Sequence, residues 1–203
     1  MVNSKFYHIV SVVLMPLFMP LLGVLFLFQL REFAYLPALF KGVTIGGTVL
    51  FTIVCPLVPM LLMRQSGHID DFFISRREQR LWPYVFSFVS YTLWFVFFWR
   101  TLQMPGYVVG MAVGSTVSIV LLMAITLKWK ISAHMTGIGG FVGCVCGLCY
   151  RVAYNPVGFL ILILFLSVLL GLARVELKAH TPTQVLAGFV LGFLSVFLCC
   201  LFF

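Results

Sequence analysis

Charge is what this sequence has least of. Thirteen basic and five acidic residues make up 9% of the 203 positions, where soluble globular proteins carry roughly 25%. Hydrophobic residues supply 63%. A water-soluble fold of this size has nowhere to hide so much apolar surface, because large exposed patches drive association. An ordinary soluble domain is therefore excluded, and a bilayer is the natural solvent. Internal repeats, low-complexity tracts and linkers long enough to separate a pair of domains are also missing. The chain reads as one integrated membrane domain, with N-terminal membrane helices over 1–63 and a core over 64–203. Carboxylates are too few to build an oxygen-rich cation cage. All six cysteines (Cys55, Cys144, Cys146, Cys149, Cys199, Cys200) fall inside apolar segments. The pair Cys146-x-x-Cys149 lacks a second ligand pair, so these thiols read as small buried hydrophobes and no metal site is expected. No small-x-small cleavage site follows the first apolar stretch, His8 to Leu30. That stretch is longer than a signal core of about 7–15 residues, so it reads as a retained span.

What is present is apolar sequence in blocks. Seven segments can be drawn, near 8–30, 42–63, 81–99, 105–127, 135–152, 157–173 and 183–203, each close to the ~20 residues that cross a bilayer. The expected fold class is all-α, a polytopic membrane helical bundle of about six to seven transmembrane helices. Small residues at Gly137, Gly139, Gly140 and Gly143 would let neighbouring helices approach closely.

Alternation of the spans sorts the polar residues. The side of the N-terminus receives 64–80, 128–134 and 174–182; the other side receives 31–41, 100–104 and 151–156. All four histidines (His8, His68, His134, His180) then share one side with Asp70, Asp71, Glu78 and Glu176. Nine basic residues lie there too, against Arg31, Lys41, Arg100 and Arg151 opposite. A net charge of +8 suggests nucleic acid, but the cations form short clusters between apolar segments. Anionic lipid headgroups or a phosphorylated ligand suit that pattern, and no nucleic acid does. A raw Lys and Arg count would put the polar side in the cytoplasm. Setting aside cations in the three clusters below leaves Lys5, Arg64 and Lys128 against four, which points that side outward.

The clusters are Arg76-Arg77-Glu78-Gln79-Arg80-Leu81-Trp82-Pro83, Lys130-Ile131-Ser132-Ala133-His134, and Ala173-Arg174-Val175-Glu176-Leu177-Lys178-Ala179-His180-Thr181-Pro182-Thr183-Gln184. Together they hold the chemistry of phosphate-ester hydrolysis. Guanidinium forks bind phosphate oxygens bidentately. One neutral imidazole can attack phosphorus while a second, protonated, gives its proton to the leaving oxygen.

Those residues resemble the type 2 phosphatidic acid phosphatase (PAP2) superfamily, membrane relatives of the vanadium haloperoxidases, in a divergent bacterial form. The third family motif matches best, as Arg174, five residues, then His180. The second appears as Ser132-Ala133-His134, with alanine for glycine. The first is degenerate, as Arg77-x-x-Arg80-x-x-Pro83. The resemblance covers about 64–203. It implies that His180 is the nucleophile forming a phosphohistidine and that His134 is the general acid. It implies that Arg77, Arg80, Arg174 and Ser132, with Lys130 as an extra cation, bind the phosphoryl oxygens. It also implies that neither metal nor cofactor is needed. The substrate would be a phosphorylated lipid: phosphatidic acid, phosphatidylglycerol phosphate, a polyprenyl diphosphate or lipid A. The place would be a bacterial inner membrane, with the active site on the periplasmic side.

Two positions depart from the family pattern. Ala173 stands where a serine would donate to phosphate. Gln184 stands where an aspartate would orient the nucleophile. The amide oxygen of Gln184 can still accept from an imidazole N–H and set its tautomer, but it brings no negative charge. Glu176 or Asp71 could stand in. Thr181-Pro182-Thr183-Gln184 also reads as a helix capping box, and the arginines of the first cluster also read as headgroup anchors. Two further classes stay open: a lipid-phosphate-binding member that does no hydrolysis, and a transporter using the arginines as a path.

Overall fold

The computed structural model describes residues 4–71, 74 and 76–203; residues 72, 73 and 75 of the polar 64–80 segment lie outside them. Among the described residues, seven helices are long and apolar enough to span a membrane. They are α1 (Ser4–Leu27), α2 (Ala38–Gln65), α3 (Arg77–Thr101), α4 (Gly106–Thr126), α5 (Ala133–Arg151), α6 (Val157–Glu176) and α7 (Pro182–Phe202). No strand occurs among the described residues. The chain is an all-α, polytopic membrane bundle. Its outward surface carries large apolar side chains such as Ile161, Phe165 and Val168 on α6, as a lipid-facing helix requires.

Proline breaks the first spans where sequence dictates. In α1 the helix runs Ser4–Val13, gives way to a 3₁₀ turn at Pro16–Phe18, and resumes at Met19–Leu27. Pro16 has no N–H to offer the preceding turn and its ring crowds that turn's carbonyls. In α2 a π-turn at Leu50–Val54 precedes Cys55-Pro56, absorbing the bond that Pro56 cannot make. Ser90 of α3 donates its hydroxyl to the Phe51 carbonyl in that turn, and Trp94 Nε1 donates to Thr48 Oγ1 at 3.0 Å. Polar groups freed inside the bundle thus find partners in a neighbouring helix, as a span requires.

Helix α5 is the centre of the bundle. Of its best 18-residue window 78% is buried, against 22–44% for the other spans. It lies against α7 through glycines on both helices. A Cβ on Gly188 would sit 2.6 Å from the Ser132 carbonyl oxygen, and one on Gly192 would meet the Thr136 carbonyl. Gly139 and Gly143 likewise face the α7 backbone at Phe189 and Phe193. The expected small-residue contact is there, and glycine is needed because backbone, not side chain, lies opposite. One apolar core joins the N-terminal spans to the rest of the chain: Leu27 and Val24 of α1 are buried with Trp94, Phe98, Val108, Leu148 and Leu170.

Candidate active site

The third cluster takes its spacing from a helix ending. α6 closes at Glu176 with Leu177 as C-cap. Lys178 adopts a left-handed φ of 52°. The Ala179 amide donates to the Arg174 carbonyl at 3.1 Å, and the Lys178 amide to that of Val175 at 2.8 Å. This is a Schellman ending. The His180 amide also donates to the Arg174 carbonyl, at 3.2 Å. Five intervening residues therefore fold the chain back so that Arg174 and His180 sit together. α7 then starts at once with Thr181 as N-cap, Pro182 in the first turn and Gln184 closing a capping box.

Gln184 does two things with one oxygen. Its Oε1 accepts the Thr181 amide at 3.2 Å and faces His180 Nδ1 at 3.1 Å. A backbone amide can only donate, which fixes the amide oxygen on that side. His180 Nδ1 must then carry the proton, and the lone pair of the neutral ring lies on Nε2. Burial first, then Arg80, Arg174 and Lys130, push His180 down to about 4, against the lesser upward pull of Gln184. Its ring is neutral at neutral pH. Among the described residues, the groups acting on it are Arg80, Gln184, Arg174 and Lys130. Asp71 lies within electrostatic reach of Arg174 and Lys130.

The second cluster is tied to the third by its backbone. Ser132, wholly buried, caps α5 by accepting the Met135 amide at 3.4 Å, and its own amide donates to the Gln184 carbonyl at 3.4 Å. His134 stands in the first turn of α5, buried, with Nε2 3.2 Å from the Ser11 carbonyl of α1. In the first cluster Arg80 is buried at 4% exposure. Its Nε donates to the Ile74 carbonyl at 2.8 Å and its Nη1 to the Ile131 carbonyl at 3.1 Å. Those bonds fix the guanidinium while leaving donors on its far edge.

Arg80, Arg174, His134 and His180 line one cavity of about 160 Å³. Its deeper wall is apolar, built from Met19, Met111, Ile119, Leu122, Phe141 and others. Two buried guanidinium groups on one cavity suit an anion between them, because like charges gathered in a buried site are costly. Lys130, half-buried outside the spans, is pushed below its ordinary value by burial first and then by Arg80 and Arg174, with Glu78 and Asp71 opposing. The cations press on one another. Arg77 is turned away: its Nη1 donates to the Lys128 carbonyl at 2.9 Å and its Nε lies 3.8 Å from Glu78. No cluster of three or more metal-ligating side chains occurs among the described residues.

The structure thus brings Arg80, Lys130, Ser132, His134, Arg174, His180 and Gln184 to one end of the bundle. Sequence reading missed the carbonyls of Ile74, Ile131 and Ser11, since backbone oxygens carry no residue-type signal. The three clusters, in this order and sharing one pocket, match one known family: the model of the PAP2 superfamily covers residues 73–203. The chain belongs to the PAP2 superfamily. Searches of curated proteins and of solved structures returned no match. PAP2 members are generally phosphatases, so at the coarse level this is a phosphatase-type membrane protein acting on phosphoric esters. The first two spans lie wholly before the matched PAP2 segment, yet α1 reaches the site through Ser11.

Proposed function

We propose that this protein is a lipid phosphatase that works through a phosphohistidine on His180, with no metal. The observation carrying this reading is the Nε2 lone pair of a neutral His180, set by Gln184, on the cavity that Arg80, Arg174 and His134 share. In the first half-reaction Nε2 attacks phosphorus, the P–O bond to the lipid breaks, and His134 gives a proton to the leaving oxygen. Water then attacks the phosphohistidine, His134 takes a proton from it, the P–N bond breaks, and inorganic phosphate leaves. Arg80, Arg174 and the Ser132–His134 turn hold the phosphoryl oxygens as charge develops on them. Lys130 adds field, and Arg77 draws headgroups from outside. The apolar part of the cavity takes the start of the lipid tail. Cys144, on its wall, is ten residues beyond His134 on α5, roughly 15 Å deeper.

Candidate substrates are phosphatidic acid, phosphatidylglycerol phosphate, a polyprenyl diphosphate and the phosphates of lipid A. Phosphate release from each in mixed micelles, by wild type and His180→Ala, tests the reading. Release that survives His180→Ala removes this mechanism. Among the described residues no carboxylate acts on His180, which favours one rival, a member that binds lipid phosphates without cleaving them; tight binding with no release would establish it. A transporter would move lipid phosphate across vesicles without chemistry.

We also propose that the site faces outward, toward the periplasm of a bacterial inner membrane. Arg80 and Arg174 are committed to the cavity, and Arg76 and Arg77 lie beside Asp70 and Glu78. They count less as topology signals than Arg31, Lys41, Arg100 and Arg151 at the other end. All native cysteines lie within spans. A membrane-impermeant thiol reagent on intact cells should therefore label Lys178→Cys, and Tyr35→Cys only after permeabilisation. The reverse pattern would place the site inside.

A further inference from the structure

Ser11 lies far from the motifs, on a helix outside the matched segment, yet its carbonyl oxygen is 3.2 Å from His134 Nε2. The break at Pro16 explains why that oxygen is on offer. A continuing helix would give the Ser11 carbonyl to the Met15 amide. Here the regular helix stops at Val13 and Met15 is extended, at φ −65° and ψ 139°. The carbonyls of a last helical turn need partners from elsewhere. Ser11 is wholly buried, so water does not compete for the bond. A carbonyl can only accept, so Nε2 of His134 must donate, and in the neutral ring the lone pair is left on Nδ1.

We infer that α1 is part of the catalytic apparatus and that its broken turn, through the Ser11 carbonyl, positions His134 so that Nδ1 exchanges protons with the substrate. This rests on the phosphatase reading above and adds a second tautomer lock to it. Gln184 holds the proton on Nδ1 of His180 and frees Nε2. Ser11 holds the proton on Nε2 of His134 and leaves the neutral ring's lone pair on Nδ1. In the hydrolytic half-reaction Nδ1 takes the proton of the attacking water and the ring becomes an imidazolium. That imidazolium gives the Nδ1 proton to the leaving oxygen of the next lipid, and the Nε2 proton stays hydrogen-bonded to the Ser11 carbonyl throughout. Ser11 touches neither substrate nor phosphorus, so its part is positioning.

Two variants disturb the contact from opposite sides. Pro16→Ala restores an amide, lets the helix run on, and gives the Ser11 carbonyl to Met15. Gly137→Ala puts a Cβ 2.9 Å from Pro16 Cβ and 3.0 Å from Pro16 Cα, pushing the elbow of α1 off α5. Nitrogen-15 spectra of histidine-labelled protein in detergent report the tautomer directly, and only four histidines need assignment. The wild type should show His134 protonated on Nε2. Both variants should lose that single tautomer and drop kcat roughly tenfold, part of the ~10²–10⁴ that general acid–base catalysis supplies, with KM nearly unchanged. A structural defect alone would lower the amount of active protein without altering the tautomer. If Gly137→Ala fails to fold, Pro16→Ala and the wild-type spectrum still decide. A wild-type His134 protonated on Nδ1, or wild-type kcat in Pro16→Ala, overturns the inference. Failure of the phosphatase reading looks different: the wild type releases no phosphate, whatever the tautomer of His134.

Discussion

Gln184 serves two donors, the Thr181 amide and the His180 ring, through one oxygen, and this makes its charge testable apart from its shape. Gln184→Glu keeps the length and both acceptor contacts and adds only a negative charge; aspartate, one carbon shorter, would also break the capping box. His180 sits at about 4, so the acid limb of kcat/KM should fall near that pH and not near the ~6.5 of an ordinary imidazole. A carboxylate favours the imidazolium, so Gln184→Glu should move the limb up by about one unit or more. The substrate's own second ionisation near ~6 is common to both proteins and drops out of the comparison. Superposed profiles would sink the idea. The same depression acts on stability. The unfolded chain binds the proton at ~6.5 and the folded chain only at about 4, so the contribution is whole above pH ~6.5 and is lost as pH falls toward 4. His180→Gln should lose less melting temperature between pH 7 and pH 4.5 than the wild type does.

Arg80 and Arg77, three positions apart, should behave very differently. Arg80→Lys cannot reach both the Ile74 and the Ile131 carbonyls, so kcat/KM should fall by more than about 100-fold, one missing transition-state donor being worth ~10²–10³. Arg77→Ala, whose guanidinium lies on Lys128 and Glu78 outside the cavity, should stay within about threefold, as exposed ion pairs contribute little. Steady-state kinetics on one lipid phosphate checks both. Residue types at motif spacing made these side chains legible in the sequence. What separates the two arginines is a set of backbone carbonyls, and every residue type carries one.

At the level of elements, hydrophobic length alone placed every span within a few residues. The expected 105–127 and 157–173, for instance, became Gly106–Thr126 and Val157–Glu176. The break inside α1 was not legible, because prolines are common enough in membrane helices that Pro16 alone does not announce a catalytic contact. The helix pair α5 and α7 carries a sharper consequence. His134 opens one and Gln184 the other, and glycines hold their backbones in contact. Gly192→Ala would drive a Cβ into the Thr136 carbonyl. No side chain can swing away there, so the helices must separate. The expected cost is about 1–3 kcal/mol, read as a lower melting temperature in detergent. Phosphate release should fall at temperatures where the variant is still folded, since Ser132 and Gln184 move apart too. Gly158→Ala, with nothing within 4 Å of the added atom, is the matched control and should change neither.

The whole molecule decides how much of a lipid the site can hold. The cavity is not the property of the matched segment alone. Met15, Pro16, Met19 and Gly23 of α1 and Met60 of α2 form one wall, and α3, α4 and α5 form most of the rest with Arg174 of α6 and Val196 of α7, His134 and His180 standing at the polar end. Such a slot should separate headgroup chemistry from tail recognition. Ser118, buried on α4, lines the slot two turns below the polar end of its helix, roughly 12 Å from Thr126. Ser118→Leu would fill that depth with apolar volume while leaving the arginines and histidines untouched. A long-chain lipid phosphate should then lose kcat/KM by about tenfold, each excluded methylene forfeiting ~0.8 kcal/mol of burial, while a short-chain, water-soluble phosphate ester should be cleaved at the wild-type rate. Equal loss on both would show that the substitution had disturbed the phosphate end. Equal retention on both would show that the tail runs along the outside of the bundle, against lipid, and that the enclosed apolar wall has no role in choosing the substrate.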